Sequence, residues 1–265
     1  MTDEFAAGAT QVAYRFTYGP RRAQYAVLEA PPGSGPFPVV VLLHGGFWRT
    51  GFNRTLMNPL ALDLLGRGWA VWNLEYRRLG IGWGAGGGWP ATFEDVAAGI
   101  DALADVPAAT ARLDLGRVVA AGHSAGGQLA LWATARPGLP AGAPGAAPRV
   151  SLRAVVALAS VSDLERAGTV AHELLGGTPA QVPERFAQAD PVRRVGLGVP
   201  VLLVHCADDA TVPVKRSRAY ADVARAAGDE VELVEPATGG HRAPIDPGSE
   251  AWQAAARWLE RCREG

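Results

Sequence analysis

Val118-Val119-Ala120-Ala121-Gly122-His123-Ser124-Ala125-Gly126-Gly127 carries an apolar, β-prone run straight into a serine flanked by glycines, and Gln128–Arg136 behind it has a helical pattern. Residues 122 to 126 fit G-x-S-x-G in the setting that gives the motif meaning, strand before and helix after. The spacing has a steric cause. A serine there sits on a sharp strand-to-helix turn with strained backbone angles, and glycines two before and two after it leave room for the chain to fold back. Its hydroxyl then projects from the carboxyl edge of a sheet, and the Ala125 N–H faces the same space. The expectation is that Ser124 is a nucleophile.

Outward from this turn, short β-prone runs alternate with helical patterns. Val12–Tyr18 and Gln24–Glu29 read as two opening strands. Val39–Leu43 is a continuous apolar run suited to a strand buried on both faces. Asn58–Arg67 follows as a helix and Ala70–Leu74 as a strand. Phe93, Val96, Ile100 and Leu103 recur at helical spacing, with Thr92 as the N-cap. Downstream, Ala154–Ala159, Val199–Cys206 and Val231–Val234 read as strands, and Lys215–Ala227 and Glu250–Arg261 as helices. Such alternation predicts an α/β fold with a mostly parallel sheet and helices on both faces. Residues 1–265 read as a single domain, without repeat or dividing linker. Leu164–Val195 is weakly helical and suits a minimal cap. Gly80–Trp89 and Pro137–Pro148 read as loops.

Composition narrows the function classes. The chain has 265 residues, 48% of them hydrophobic, and its 25 basic and 26 acidic side chains leave a formal net charge of −1. That balance is globular rather than disordered, and it argues against a nucleic-acid partner. Only Lys215 is a lysine. Cys206 and Cys262 make no disulfide framework, and Cys206, in an apolar run, reads as a buried thiol. The acidic stretch Met1 to Gln11 has no apolar core of a signal peptide. The apolar runs fall short of the roughly 20 residues that cross a bilayer. These features predict a cytoplasmic protein with no membrane partner. A homodimer is compatible with the sequence, although no segment marks an interface. Histidine spacing fits no metal motif, and Gly84–Gly88 lacks the features of a phosphate loop, so neither metal nor cofactor is expected.

The remaining chemistry gathers around Ser124. His44-Gly45-Gly46-Phe47-Trp48 follows directly on the Val39–Leu43 strand. Glycines there let the backbone approach a substrate and turn its N–H groups inward. The N–H groups of Gly46 and Phe47 therefore join that of Ala125 as candidate oxyanion donors. A nucleophile elbow is followed in chain order by an acid and then a histidine. Of five histidines, His44 and His123 precede any such acid, His172 falls in the cap segment, and His205 lies within an apolar strand as a core histidine. His241, after Gly239-Gly240, is left as the general base. Asp208 and Asp209 both stand where the preceding strand delivers side chains to the sheet edge, and either suits the acid. Trp48, Trp83 and Trp89 lie on loops expected near that edge. They could line an aromatic-friendly pocket or plug the gap between loop and core.

With the elbow and the His44–Trp48 loop together, the chain resembles the α/β-hydrolase superfamily, in the esterase/lipase branch that includes BD-FAE-like and bacterial kynurenine formamidase-like proteins. Asn73-Leu74-Glu75-Tyr76-Arg77-Arg78 is similar to a segment common there. The resemblance implies an α/β-hydrolase fold and a structural role for Glu75. It also favours Asp209 as the acid, because Asp209-Ala210-Thr211-Val212-Pro213 follows the D-x-x-V-P turn of many such hydrolases. Gly240-His241-Arg242-Ala243-Pro244 departs from the Gly-His-Phe or Gly-His-Asp of many relatives. Arg242 either disfavours the neighbouring imidazolium, binds an acidic substrate group or points into solvent. The expected activity is hydrolysis of carboxylic esters or activated amides of small to medium, including aromatic, substrates through an acyl-enzyme. The alternatives are an arylformamidase of the N-formylkynurenine type, a thioesterase or acyltransferase, and a non-catalytic binding protein on the same fold.

Overall fold

The computed structural model describes residues 2–7, 11–108 and 110–264. Three antiparallel strands open the chain: β1 (Thr2–Ala7), β2 (Gln11–Thr17) and β3 (Tyr25–Glu29). The sequence reading has two there; β1, in the acidic stretch, is the addition. Six strands follow: β4 (Phe37–Leu43), β5 (Ala70–Leu74), β6 (Leu113–His123), β7 (Ala154–Leu158), β8 (Val201–Val204) and β9 (Val231–Val234). All nine form one sheet in the order β1-β2-β3-β5-β4-β6-β7-β8-β9. Every pairing from β5 to β9 is parallel. The chain places β5 on one side of β4 and β6 on the other, so β4/β6 is the topological switch point where open α/β sheets bind ligands.

Parallel neighbours need crossovers, and helices supply them. These are α1 (Asn58–Gly66), α2 (Ala91–Asp101), α3 (Ala125–Thr134), α4 (Thr169–Leu175), α5 (Pro183–Ala189) and α6 (Lys215–Ala226), and α7 (Glu250–Glu264) follows the last strand. Strand periodicity sorts the core into two layers. Val39, Val41 and Leu43 of β4 face one layer with Phe93 and Trp132, whereas Val40 and Leu42 face the other with Leu60, Leu64 and Trp252. The spacing of Phe93, Val96, Ile100 and Leu103 is realised as a fully buried face.

Two helix starts differ from expectation. Thr92 lies inside α2 rather than capping it; its hydroxyl donates to the Arg77 carbonyl and accepts from the Gly88 N–H, tying down the glycine-rich loop instead. Helix α3 begins at Ala125, three residues earlier than Gln128, because Ser124 itself is the turn residue that starts it. All ten residues of α3 are buried, which explains its lack of a polar face. Residues 164–195 form α4, α5 and short turns between β7 and β8. Among the described residues no helix is long and apolar enough to cross a membrane.

Candidate active site

The elbow is built by close backbone contact. Ser124 has φ 56° and ψ −118°, a left-handed φ that an L-residue adopts only at a cost. A Cβ on Gly122 would lie 2.1 Å from the Gly126 carbonyl oxygen, and one on Gly126 would lie 2.1 Å from that of Leu43. No side chain fits either position. The turn is pinned from both sides: the Ser124 N–H donates to the Leu158 carbonyl (2.8 Å), and the Ser124 carbonyl accepts from the Gly127 N–H (3.0 Å).

Late strands bring the partners to this turn. The loop after β9 sets His241 Nε2 2.9 Å from Ser124 Oγ, and His241 Nδ1 lies 2.7 Å from Asp209 Oδ2. In the tautomer this demands, Nδ1–H donates to the carboxylate and Nε2 accepts from the serine hydroxyl. Asp209 Oδ1 accepts the N–H groups of Thr211 (2.8 Å) and Val212 (2.9 Å). Burial alone would raise the Asp209 pKa, but the hydrogen bond from His241 and those from the backbone outweigh it and hold the carboxyl below its usual value. Asp208 stands outside this relay. Its two oxygens accept the N–H groups of Gly239 (3.1 Å) and Gly240 (2.8 Å), which fastens the loop carrying His241 to the loop carrying Asp209.

His205 is buried, as a core histidine should be, but it also reaches Asp209. Its Nε2–H is shared between the Val212 carbonyl (2.7 Å) and Asp209 Oδ2 (3.1 Å), and its Nδ1 accepts from Ser217 Oγ (2.7 Å). Burial lowers its pKa, which suits a neutral ring with one N–H. His123 plays a parallel part behind His241: its Nε2–H donates to the His241 carbonyl (2.8 Å), and burial pushes its pKa down to about 3. Sequence reading missed both supports. No spacing rule announces them, because each acts through a contact made by a distant segment.

Gly46, Phe47 and Trp48 are three consecutive residues with positive φ (117°, 57° and 55°). Only the first is glycine, so the loop stores strain beside Ser124. Among the described residues, the N–H groups of Gly46, Phe47 and Ala125 donate to no protein acceptor. Such unspent donors are what a developing oxyanion needs. A buried ionic cluster anchors the loop. Glu75 Oε1 lies 3.1 Å from His44 Nε2 and 3.2 Å from Arg78 Nη2, and its Oε2 accepts the Arg54 N–H (3.1 Å). Burial opposes ionisation of Glu75, but His44 and Arg78 overcome it, and its pKa is lowered. Tyr76 adds a hydroxyl bond to the His44 carbonyl (2.6 Å) and stacks on the imidazole.

Two cavities meet at Ser124. A small recess of about 90 Å³ is lined by Phe47, Ala125, Val161, Ala167, Val170 and Val212 among others, so the cap segment contributes part of its wall. A wider cleft of about 430 Å³ lies on the other side, against Phe52, Leu56, His241, Arg242 and Ile245. Arg242 is exposed and makes no ion pair among the described residues. Of the three tryptophans, only Trp48 borders these cavities; its ring is buried, with Nε1–H donating to Gln128 Oε1 (3.1 Å). Trp83 is 45% exposed on the glycine-rich loop and lies over Arg78, away from both cavities. Trp89 packs on Phe93 as part of the core edge. Of the two readings open to them, Trp83 and Trp89 therefore do not take that of pocket lining, and Trp89 takes that of packing against the core. Their loop folds back over Arg77 and Arg78 rather than forward over Ser124. Cys206 is buried, as expected.

Several known proteins share this arrangement of elements. A truncated carbohydrate esterase from gut microbiota superimposes with a TM-score of 0.82 at 20% identity, covering 97% of each chain. A thermophilic esterase of the planctomycete Thermogutta terrifontis gives a TM-score of 0.74 at 24% identity, over 94% of this chain and 90% of that one. The fold is the α/β-hydrolase fold. In sequence, a probable carboxylic ester hydrolase of Mycobacterium tuberculosis, LipM, is 30% identical over 207 residues. The alignment takes in 72% of this chain but only 46% of LipM, so the chain spans about half the length of that relative. The family model described as BD-FAE matches residues 27–223, which include the His44–Trp48 loop, the turn at Ser124 and Asp209 but stop short of His241. Because that match takes in well over half of the sequence, the chain belongs to the BD-FAE family.

Proposed function

We propose that this protein is a serine hydrolase that cleaves carboxylic esters with short acyl groups through an acyl-enzyme. The observation that carries the proposal is the unbroken relay from Ser124 Oγ through His241 to Asp209, at 2.9 and 2.7 Å. The family membership, and the ester hydrolases among its relatives, support the same chemistry. His241 takes the Ser124 proton as Oγ attacks the ester carbonyl. The N–H groups of Ala125 and of Gly46 or Phe47 hold the oxyanion. Collapse of the tetrahedral intermediate expels the alcohol, which His241 protonates; water then repeats the sequence on the acyl-enzyme. Asp209 keeps the imidazole in the required tautomer and stabilises its charged form. The reaction draws its nucleophile, base and oxyanion donors from the chain itself.

The two cavities divide the substrate between them. The departing oxygen must reach His241 Nε2, so the leaving group occupies the wide cleft that His241 lines. The acyl group takes the recess beside Ala125, whose wall includes Ala167 and Val170 of the cap segment. At about 90 Å³ against about 430 Å³, the recess is much the smaller of the two spaces, which favours a short acyl group. We take the substrates to be small dissolved esters met in the cytoplasm.

The test is a panel of p-nitrophenyl acetate, butyrate and octanoate, a thioester and N-formylkynurenine, run with the wild type and Ser124→Ala. Acetate and butyrate should turn over faster than octanoate, and turnover should vanish in the variant. Wild-type turnover matched by Ser124→Ala would sink the proposal. Faster cleavage of N-formylkynurenine or of the thioester than of any oxygen ester would replace ester hydrolysis by that activity.

A further inference from the structure

Arg216, at the N-terminal end of α6, belongs to the acyl recess and also to an adjoining groove of about 500 Å³ shared with Asp163, Arg166 and Lys215. Its guanidinium is held in place without being neutralised. Nη1 donates to the Asp163 carbonyl (3.3 Å), Nη2 donates to the Arg166 carbonyl, and no carboxylate pairs with it among the described residues. The Asp163 carboxylate is already taken by Arg166, through the side chain (2.8 Å) and the N–H (3.0 Å). Lys215 likewise has no ion pair among the described residues. A guanidinium carries five N–H donors, so the two carbonyl bonds leave capacity for a further acceptor. The wall beside Ser124 is thus apolar at Val161, Val170 and Val212 and carries a cationic side chain, Arg216, which it shares with the groove.

We infer that Arg216 is a specificity residue that selects esters whose acyl group ends in an anion, as in half-esters of short dicarboxylic acids. The inference rests on the serine-hydrolase reading and assigns its substrate class. A neutral acyl chain would fill the apolar part and leave the guanidinium without an anionic partner. A chain with a terminal carboxylate would pair with it. The carbonyl bonds fix the fork beforehand, so little side-chain entropy is lost on binding.

The experiment compares monoethyl succinate and monoethyl glutarate with their neutral amide isosteres, ethyl succinamate and ethyl glutaramate, with ethyl butyrate as a reference. The wild type should favour the carboxylate member of at least one pair in kcat/KM by about tenfold, the factor that one charge-assisted hydrogen bond supplies. That ratio should fall as salt is added. It should drop to near one in Arg216→Gln, reverse in Arg216→Glu and survive in part in Arg216→Lys. A ratio within one protein is insensitive to how much of a variant folds. A wild type that prefers the amides, or Arg216 variants that leave the ratio unchanged, would overturn the inference while leaving ester hydrolysis standing. Failure to cleave any of the five esters, ethyl butyrate included, would overturn the hydrolase reading beneath it.

Discussion

Asp209 binds more partners than the relay requires. Its four hydrogen bonds come from two backbone N–H groups and two imidazoles, so the carboxylate is fixed before any substrate arrives. Asparagine at 209 could keep the backbone bonds to Oδ1 while turning an N–H₂ toward His241. The ring would then be driven to the tautomer whose Nε2 carries the proton and cannot receive one from Ser124. Asp209→Asn is therefore expected to lower kcat by about 10⁴-fold with a well-folded protein and a small change in KM. A loss of less than about tenfold in steady-state kinetics would remove Asp209 from the proposed mechanism. Asp208, one residue away, binds only backbone N–H groups. The difference between adjacent aspartates is one of direction, because side chains one residue apart in this loop leave the chain on different sides.

At the scale of elements, the His44–Trp48 loop is strained where it faces Ser124 and anchored where it leaves the sheet. Three positive-φ residues in a row require outside support, and the buried Glu75 cluster supplies it by holding His44. Glu75→Ala would leave the buried Arg78 guanidinium uncompensated. The expected cost is about 3–5 kcal/mol of folding free energy, measured by urea unfolding, together with a lower kcat as the loop loses its register. A cost under about 1 kcal/mol would mean that Glu75 does not anchor the loop. The cap segment is tied in similarly: Gln128 of α3 donates to the Ala189 carbonyl at the end of α5 (2.9 Å) while accepting from Trp48, so elbow helix, cap and oxyanion loop share one side chain.

Across the whole molecule, the buried histidines tie stability to pH. His123 has a folded pKa near 3, far below the unfolded value of about 6.5. The unfolded chain therefore binds more protons between those limits, and stability rises with pH across the window. His205, also lowered by burial, has the same sign. Asp190 opposes them, since burial raises its carboxyl to about 6, so its contribution is lost as pH rises from the ordinary carboxylate value toward 6. Comparison with a His123→Gln variant isolates one term. The gap between wild-type and variant urea midpoints should widen from pH 4 to pH 6.5 and then level off. A gap that is flat or narrows over that range would show that His123 is not buried in its neutral form.

The sheet, its helices and the elbow were legible in the chain because their causes are local. Apolar runs of strand length, the spacing of Phe93, Val96 and Ile100, and the glycines around Ser124 act over a few residues, and the elements they imply appear within a few residues of the expected limits. Chain order also isolated His241 from four other histidines, and it is His241 that stands at Ser124. Tertiary structure alone decided the rest. It turned Asp209 rather than Asp208 toward His241, placed His205 and His123 against them, sent Trp83 and Trp89 away from the cavities, and brought Arg216 to the recess beside Ser124. Each of these depends on how segments far apart in sequence settle against one another. A side chain's direction after a turn, and the partner it meets there, are products of packing that no local pattern encodes.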